Sequence, residues 1–83
     1  MLVEFAMPEL GLGEEPVTVS LWLVDVGGTF AAGDRLLELS ADGVTVDLPA
    51  PTAGTLRQVF VYEDDRLAPG MRLGLIEVSA DDA

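Results

Sequence analysis

Asp42 and Gly43 stand between the segments RLLELS (35–40) and VTVDLP (44–49). An Asp-Gly pair flanked by alternating apolar residues signals a two-residue hairpin whose central residues both need positive φ. Such a tip can be a plain turn or a point from which a reactive group is displayed. The remaining candidates for chemistry are carboxylates: Glu14-Glu15, Glu63-Asp64-Asp65 and Asp81-Asp82. Paired carboxylates do acid–base work when burial or proximity drives their pKa values apart. Neighbouring acids on polar turns are ordinarily just solvated, so these clusters read as surface. EDDRLAPG (63–70) lacks the alternating ligand spacing and the glycine of a calcium loop, and the glycines follow no phosphate-loop pattern.

The residue inventory excludes most catalytic chemistry. The chain has no Cys and no His, so disulfides, thiol nucleophiles, Ser-His pairs and the common zinc or haem ligand sets cannot be built. All four basic residues are arginines, Arg35, Arg57, Arg66 and Arg72. No lysine is available for a Schiff base, acylation, lipoylation or biotinylation, and a guanidinium stays protonated and is a poor acyl acceptor. An enzyme is therefore not expected, and neither is a bound metal. The net charge of −11 opposes binding to nucleic acid or an anionic membrane surface, which needs a basic patch; a protein partner would be basic. MLVEFAMPEL (1–10) lacks the basic start and apolar run of a signal peptide, and no apolar stretch approaches the roughly 20 residues needed to span a bilayer. The cytoplasm is the expected location.

The elements around the tip are short strands. At 83 residues with 49% hydrophobic content the chain suits one small domain with a packed core. LVEFAM (2–7) alternates and is stopped by Pro8. PELGLGEEP (8–16) is a Gly- and Pro-rich loop. VTVSLWLVDV (17–26) is the strongest strand signal and is broken at Gly27-Gly28. TFAAGD (29–34), the two arms of the tip, the bend APTAG (50–54), TLRQVFVYE (55–63), the turn DDRLAPG (64–70) and MRLGLIEV (71–78) follow. Strands separated by turns at this spacing indicate an all-β sandwich or barrel. The expected domain covers 1–79, with 80–83 a frayed acidic tail.

A repeat organises these strands. WLVDVGGTFAAGDRLLEL (22–39) aligns with VFVYEDDRLAPGMRLGLI (59–76). Trp22 meets Val59, Val24 meets Val61, Phe30 meets Leu67, Gly33 meets Gly70, Leu36 meets Leu73 and Leu39 meets Ile76. Two copies are too few for a solenoid; they predict two similar halves about a pseudo-twofold axis, packed face to face over one core about 10 Å thick. Strand alternation predicts a core of Phe5, Val19, Leu21, Leu23, Phe30, Leu36, Val46, Leu56, Val59, Val61, Leu73 and Leu75. Trp22 is read as half-covering a sheet face rather than marking a partner surface.

Three pieces, MPELGLGEEPVTVSLWLVDVGGTFAAGD, LLELSADGVTVDLPAPTAG and RLAPGMRLGLIEV, coincide in order and spacing. Together, from about Val3 to Val78, they resemble the lipoyl domain of the acyltransferase components of 2-oxoacid dehydrogenase complexes, within the biotinyl/lipoyl domain family. The resemblance implies a flattened β-barrel or sandwich of two four-stranded antiparallel sheets. It also implies a carrier whose hairpin tip bears a modified lysine, with a lipoyl or biotinyl arm that swings between partner enzymes. The lipoyl branch typically has Asp-Lys-Ala at the tip and the biotinyl branch Met-Lys-Met. Here Asp42 matches the first residue of the lipoyl pattern, Gly43 occupies the lysine position and Val44 follows. The usual Gly-Asp after the second strand is Gly27-Gly28, and its second-half equivalent is Asp64-Asp65. The expectation is a non-catalytic pseudo-carrier with no lipoyl or biotinyl cofactor, docking on a protein of a 2-oxoacid dehydrogenase or lipoyl-handling system through Leu12, Glu14, Glu15, Asp42 and Gly43. The alternative is a structural scaffold without such a partner, as lipoyl-like folds are in membrane-fusion adaptors; those usually carry a helical insert in the hairpin, and this chain has none.

Overall fold

A computed structural model describes residues 1–11 and 15–78. The expected tail, 80–83, lies outside them. Eight strands form: β1 (Leu2–Ala6), β2 (Val17–Trp22), β3 (Thr29–Phe30), β4 (Arg35–Ala41), β5 (Val44–Pro49), β6 (Gly54–Val59), β7 (Arg66–Leu67) and β8 (Arg72–Glu77). Every paired strand is antiparallel. One four-stranded sheet has the order β1-β8-β6-β3 and the other β5-β4-β2-β7. No helix lies among the described residues, hence none long and apolar enough to cross a membrane.

The two sheets are copies of one plan. Val17 and Gly54, Thr29 and Arg66, and Arg35 and Arg72 each open a strand, and each pair is 37 residues apart. The symmetry extends to single hydrogen bonds. Gly27 donates its N–H to the Leu56 carbonyl at 2.7 Å, and Asp64, its counterpart, donates to Val19 at 2.9 Å. Gly33 donates to Ala50 and Gly70 to Met7, at 2.9 and 2.8 Å. These bonds carry the chain from one sheet to the other and leave the turn N–H groups satisfied, as segments close to a core require. Surface ion pairs repeat as well: Arg35–Asp47 and Arg72–Glu4 both measure 3.2 Å. Exposed pairs of this kind contribute at most about 1 kcal/mol each.

Between the sheets lies one core. Leu36, Leu37, Leu39, Leu56, Leu73 and Ile76 are fully buried, and burying each such side chain stabilises the fold by about 1.5–3 kcal/mol. Of these, Leu36, Leu56 and Leu73 belong to the expected set, as do Phe5, Val19, Phe30 and Val61, which are buried too, with Val59 packed at the margin. Leu37, Leu39, Ile76, Met7, Val17, Ala41, Leu48 and Ala50 are buried in addition to that set. Met7 and Ala50 occupy equivalent positions just past β1 and β5, which explains their shared burial.

Leu21 and Leu23 do not belong to the core; they are 48% and 41% exposed. The cause is a β-bulge. The register of β2 against β4 shifts between Val19 and Leu21, so Ser20 is an extra residue. One extra residue inverts the alternation of every side chain beyond it. Trp22 therefore turns inward, where its indole N–H donates to the Val61 carbonyl at 2.9 Å and its ring tilts against Phe5 at 6.3 Å. The same shift occurs in β6 between Leu56 and Gln58, around Arg57, the counterpart of Ser20. The strand also ends at Trp22 rather than Val26. Leu75 and Val46 are only half-buried. Leu75 shares the outward parity of its counterpart Glu38, and Val46 faces inward from an edge strand that has no outer neighbour to cover it.

Candidate functional site

The tip between β4 and β5 is a two-residue connection. Ala41 pairs directly with Val44, and the residues between them have φ of 50° at Asp42 and 77° at Gly43. Positive φ at both central positions is the type I′ geometry that matches the twist of the flanking strands. Asp tolerates the left-handed region better than most residues with a Cβ, and glycine enters it without a steric cost. The hairpin is rooted firmly: Leu37, Leu39, Ala41 and Leu48 are buried. Beyond Ala41 contact with the core ceases. Asp42 and Gly43 are exposed and Val44 is 61% exposed. A Cβ built at Gly43 would meet nothing within 4 Å. The Asp42 carboxylate accepts no hydrogen bond from the described residues.

The β1–β2 loop returns to the same end of the molecule. Val17, the first residue of β2, pairs with Ala41 on one side and Leu67 on the other. Glu15, two residues earlier and exposed, therefore flanks the end of the sheet that carries the tip. Leu12 and Glu14 lie outside the described residues. Beside this loop runs a shallow cleft of ≈270 Å³, lined by Met7, Pro8, Leu10, Pro16, Leu67 and Pro69 among others. The sequence predicts a turn over 64–70, whereas Arg66–Leu67 forms β7 and pairs with β2. The repeat held the signal, since it sets Leu67 opposite Phe30 as a strand residue.

The acidic cluster Glu63-Asp64-Asp65 is structural in part. Asp64 has φ of 71° and bonds through its backbone to Val19, while the Asp65 carboxylate accepts the Tyr62 N–H at 2.8 Å. Asp34 caps its own turn by accepting the Ala31 N–H at 2.9 Å. Among the described residues no group of three or more His, Cys, Asp or Glu is arranged to hold a metal ion. Glu77 is the one described group whose pKa clearly moves. The α-ammonium of Met1 hydrogen-bonds its carboxylate and, with Arg57 at 3.7 Å, holds it below the usual carboxylate value.

Residues 3–76 match the biotin/lipoyl family model, described as biotin-requiring enzyme. The chain belongs to this family, whose domains serve as carriers and are not themselves catalysts. It is 35% identical over 80 residues to the dihydrolipoyllysine-residue succinyltransferase component of the 2-oxoglutarate dehydrogenase complex of Bartonella vinsonii subsp. berkhoffii, covering 96% of this chain and 20% of that protein. It is 41% identical over 64 residues to the dihydrolipoyllysine-residue acetyltransferase component of the pyruvate dehydrogenase complex of Corynebacterium glutamicum, covering 77% of this chain and 10% of the relative. The corresponding Mycobacterium bovis component is 37% identical over 75 residues, covering 90% of this chain and 14% of the relative. The chain thus spans between a tenth and a fifth of the length of these relatives.

Proposed function

We propose that this domain is a pseudo-carrier: a non-catalytic, lipoyl-like binding module with a tip that receives no covalent arm. The observation that carries this reading is Gly43 at the point of the hairpin. A lipoyl or biotinyl group is attached to a primary amine. Gly43 has no side chain, its neighbours Asp42 and Val44 have no amine, and the chain contains no lysine. The residues at the tip therefore do not fit either group. What remains is a rigid hairpin beside the β1–β2 loop on a strongly acidic surface. That combination favours docking on a basic face of a protein from a 2-oxoacid dehydrogenase or lipoyl-handling system. Leu12, Glu14, Glu15, Asp42 and Gly43 are the proposed contact residues.

Installing Gly43→Lys in the presence of a lipoyl ligase tests whether the recognition surface persists. There is open space for the new side chain, so the fold should tolerate it. A lipoylated variant supports the reading. A folded variant that stays unmodified contradicts it and leaves the domain a scaffold without a carrier-system partner.

A further inference from the structure

We infer that Asp42 is a site of spontaneous backbone modification, at which the tip converts from aspartate to isoaspartate through a cyclic imide. This follows from the chemistry and geometry of the turn and does not depend on whether the tip meets a partner. The backbone nitrogen of Gly43 is linked through three carbons of Asp42, its carbonyl carbon, Cα and Cβ, to the carboxyl carbon Cγ, so attack of that nitrogen on Cγ closes a five-membered ring. The N–Cγ bond forms and the Cγ–OH bond of the protonated carboxyl group breaks, the hydroxyl leaves with the amide proton as water, and a succinimide results. Water then opens the ring at either carbonyl. Opening at Cγ restores aspartate; opening at the main-chain carbonyl breaks its bond to nitrogen and reroutes the backbone through Cβ and Cγ. Water is the only co-reactant, and the net change in composition is nil.

The structure singles out this residue. Asp42-Gly43 is the one Asp-Gly pair in the chain. The nucleophile is unshielded: Gly43 has no side chain, and its N–H donates to none of the carbonyls bonded in the described turns. Among the described residues no donor bonds the Asp42 carboxyl group, and both residues are exposed. Each other described aspartate lacks one of these conditions. Asp34 and Asp65 accept backbone N–H groups, and Asp47 is paired with Arg35. The N–H that follows Asp64 donates to the Tyr62 carbonyl at 3.0 Å. Asp25 is followed by the branched Val26, whose side chain hinders approach to its nitrogen.

Conversion would matter to the fold at this one place. The two-residue connection between Ala41 and Val44 would gain a methylene in its main chain, and the carboxylate would move from a side chain to the backbone. The I′ turn could no longer close the hairpin in its present register. The core that roots β4 and β5 begins at Ala41, inside the altered link, so the change is confined to the displayed end.

The test uses the whole folded chain held in warm neutral buffer. Cleavage after Arg35 and Arg57 releases the tip in the segment 36–57. Protein isoaspartate methyltransferase with a labelled methyl donor reports isoaspartate in each fragment. The expected result is labelling confined to 36–57, with a transient species one water lighter. Asp42→Asn keeps a residue suited to the turn and should give the same product faster, with loss of ammonia and gain of one negative charge. Asp42→Glu should lose the label altogether. The inference is overturned if the folded chain stays unlabelled, if fragments outside 36–57 label equally, or if the Asp42→Glu variant labels like the parent.

Discussion

Asp42-Gly43 and Asp64-Asp65 are both acidic turns with an aspartate at positive φ, yet they do opposite jobs. The second is tied into the molecule. Asp64 and Asp65 exchange backbone bonds with Val19 across the sheets, and the Asp65 side chain fixes the turn itself. Its counterpart in the first half, Gly27-Gly28, makes the same bonds to Leu56, so that turn is needed twice for the halves to lock. The tip has no such partner. Among the described residues its Asp42 side chain accepts no hydrogen bond, and the connection is closed by the local pairing of Ala41 with Val44. A turn that holds the fold constrains its residues through tertiary bonds; a turn that displays something constrains them only through φ. Residue identity at the tip is therefore free to follow function, and under the proposed pseudo-carrier reading glycine stands there in place of the family's acceptor while suiting the turn.

Mutations can break or sharpen this contrast. The largest effect should come from Leu56→Ala, at the buried residue whose carbonyl receives Gly27. It is fully buried, and the expected loss is about 2–5 kcal/mol, read as a fall in the denaturant midpoint. Val44→Ala, beside the tip and 61% exposed, should stay within about 0.5 kcal/mol; equal losses would erase the distinction between the two turns. Asp64→Val places a β-branched residue at φ of 71° and should cost about 2 kcal/mol, whereas Asp64→Asn should be close to neutral. Gly43→Lys should cost only about 1 kcal/mol, because the penalty is local and no packing is disturbed. Glu77 supplies the smallest effect. Its pKa is lowered in the folded state from an ordinary value of 4.5, so its contribution is present above that value and is lost as pH falls through the lowered one. Glu77→Gln should remove this acid-dependent part of stability and leave the rest of the pH profile unchanged.

Much of this architecture was legible in the sequence because it is written twice. The repeat placed Gly33 against Gly70 and Leu36 against Leu73, and the structure puts those residues in equivalent sites. The Asp-Gly pair was readable as a I′ turn for a purely local reason: positive φ at both residues. The bulges were not recognised. Strict alternation assigned Leu21 and Leu23 inward, although the repeat sets them against Gln58 and Phe60, and polar Gln58 already argued for an outward face. Met7 and Ala50 were missed because each lies one residue beyond a strand end, where alternation gives no guidance. Of the proposed contact residues, the topology brings Glu15 to the end of the sheet that carries Asp42 and Gly43. Alternation could not supply that link, since it comes from the pairing of Val17 with Ala41.

The most direct test of the tip's role is the intact mass of the chain after co-expression with lipoyl and biotin ligases. The account predicts a single species at the mass of the unmodified 8.8 kDa chain. A lipoyl or biotinyl increment on any residue would contradict it.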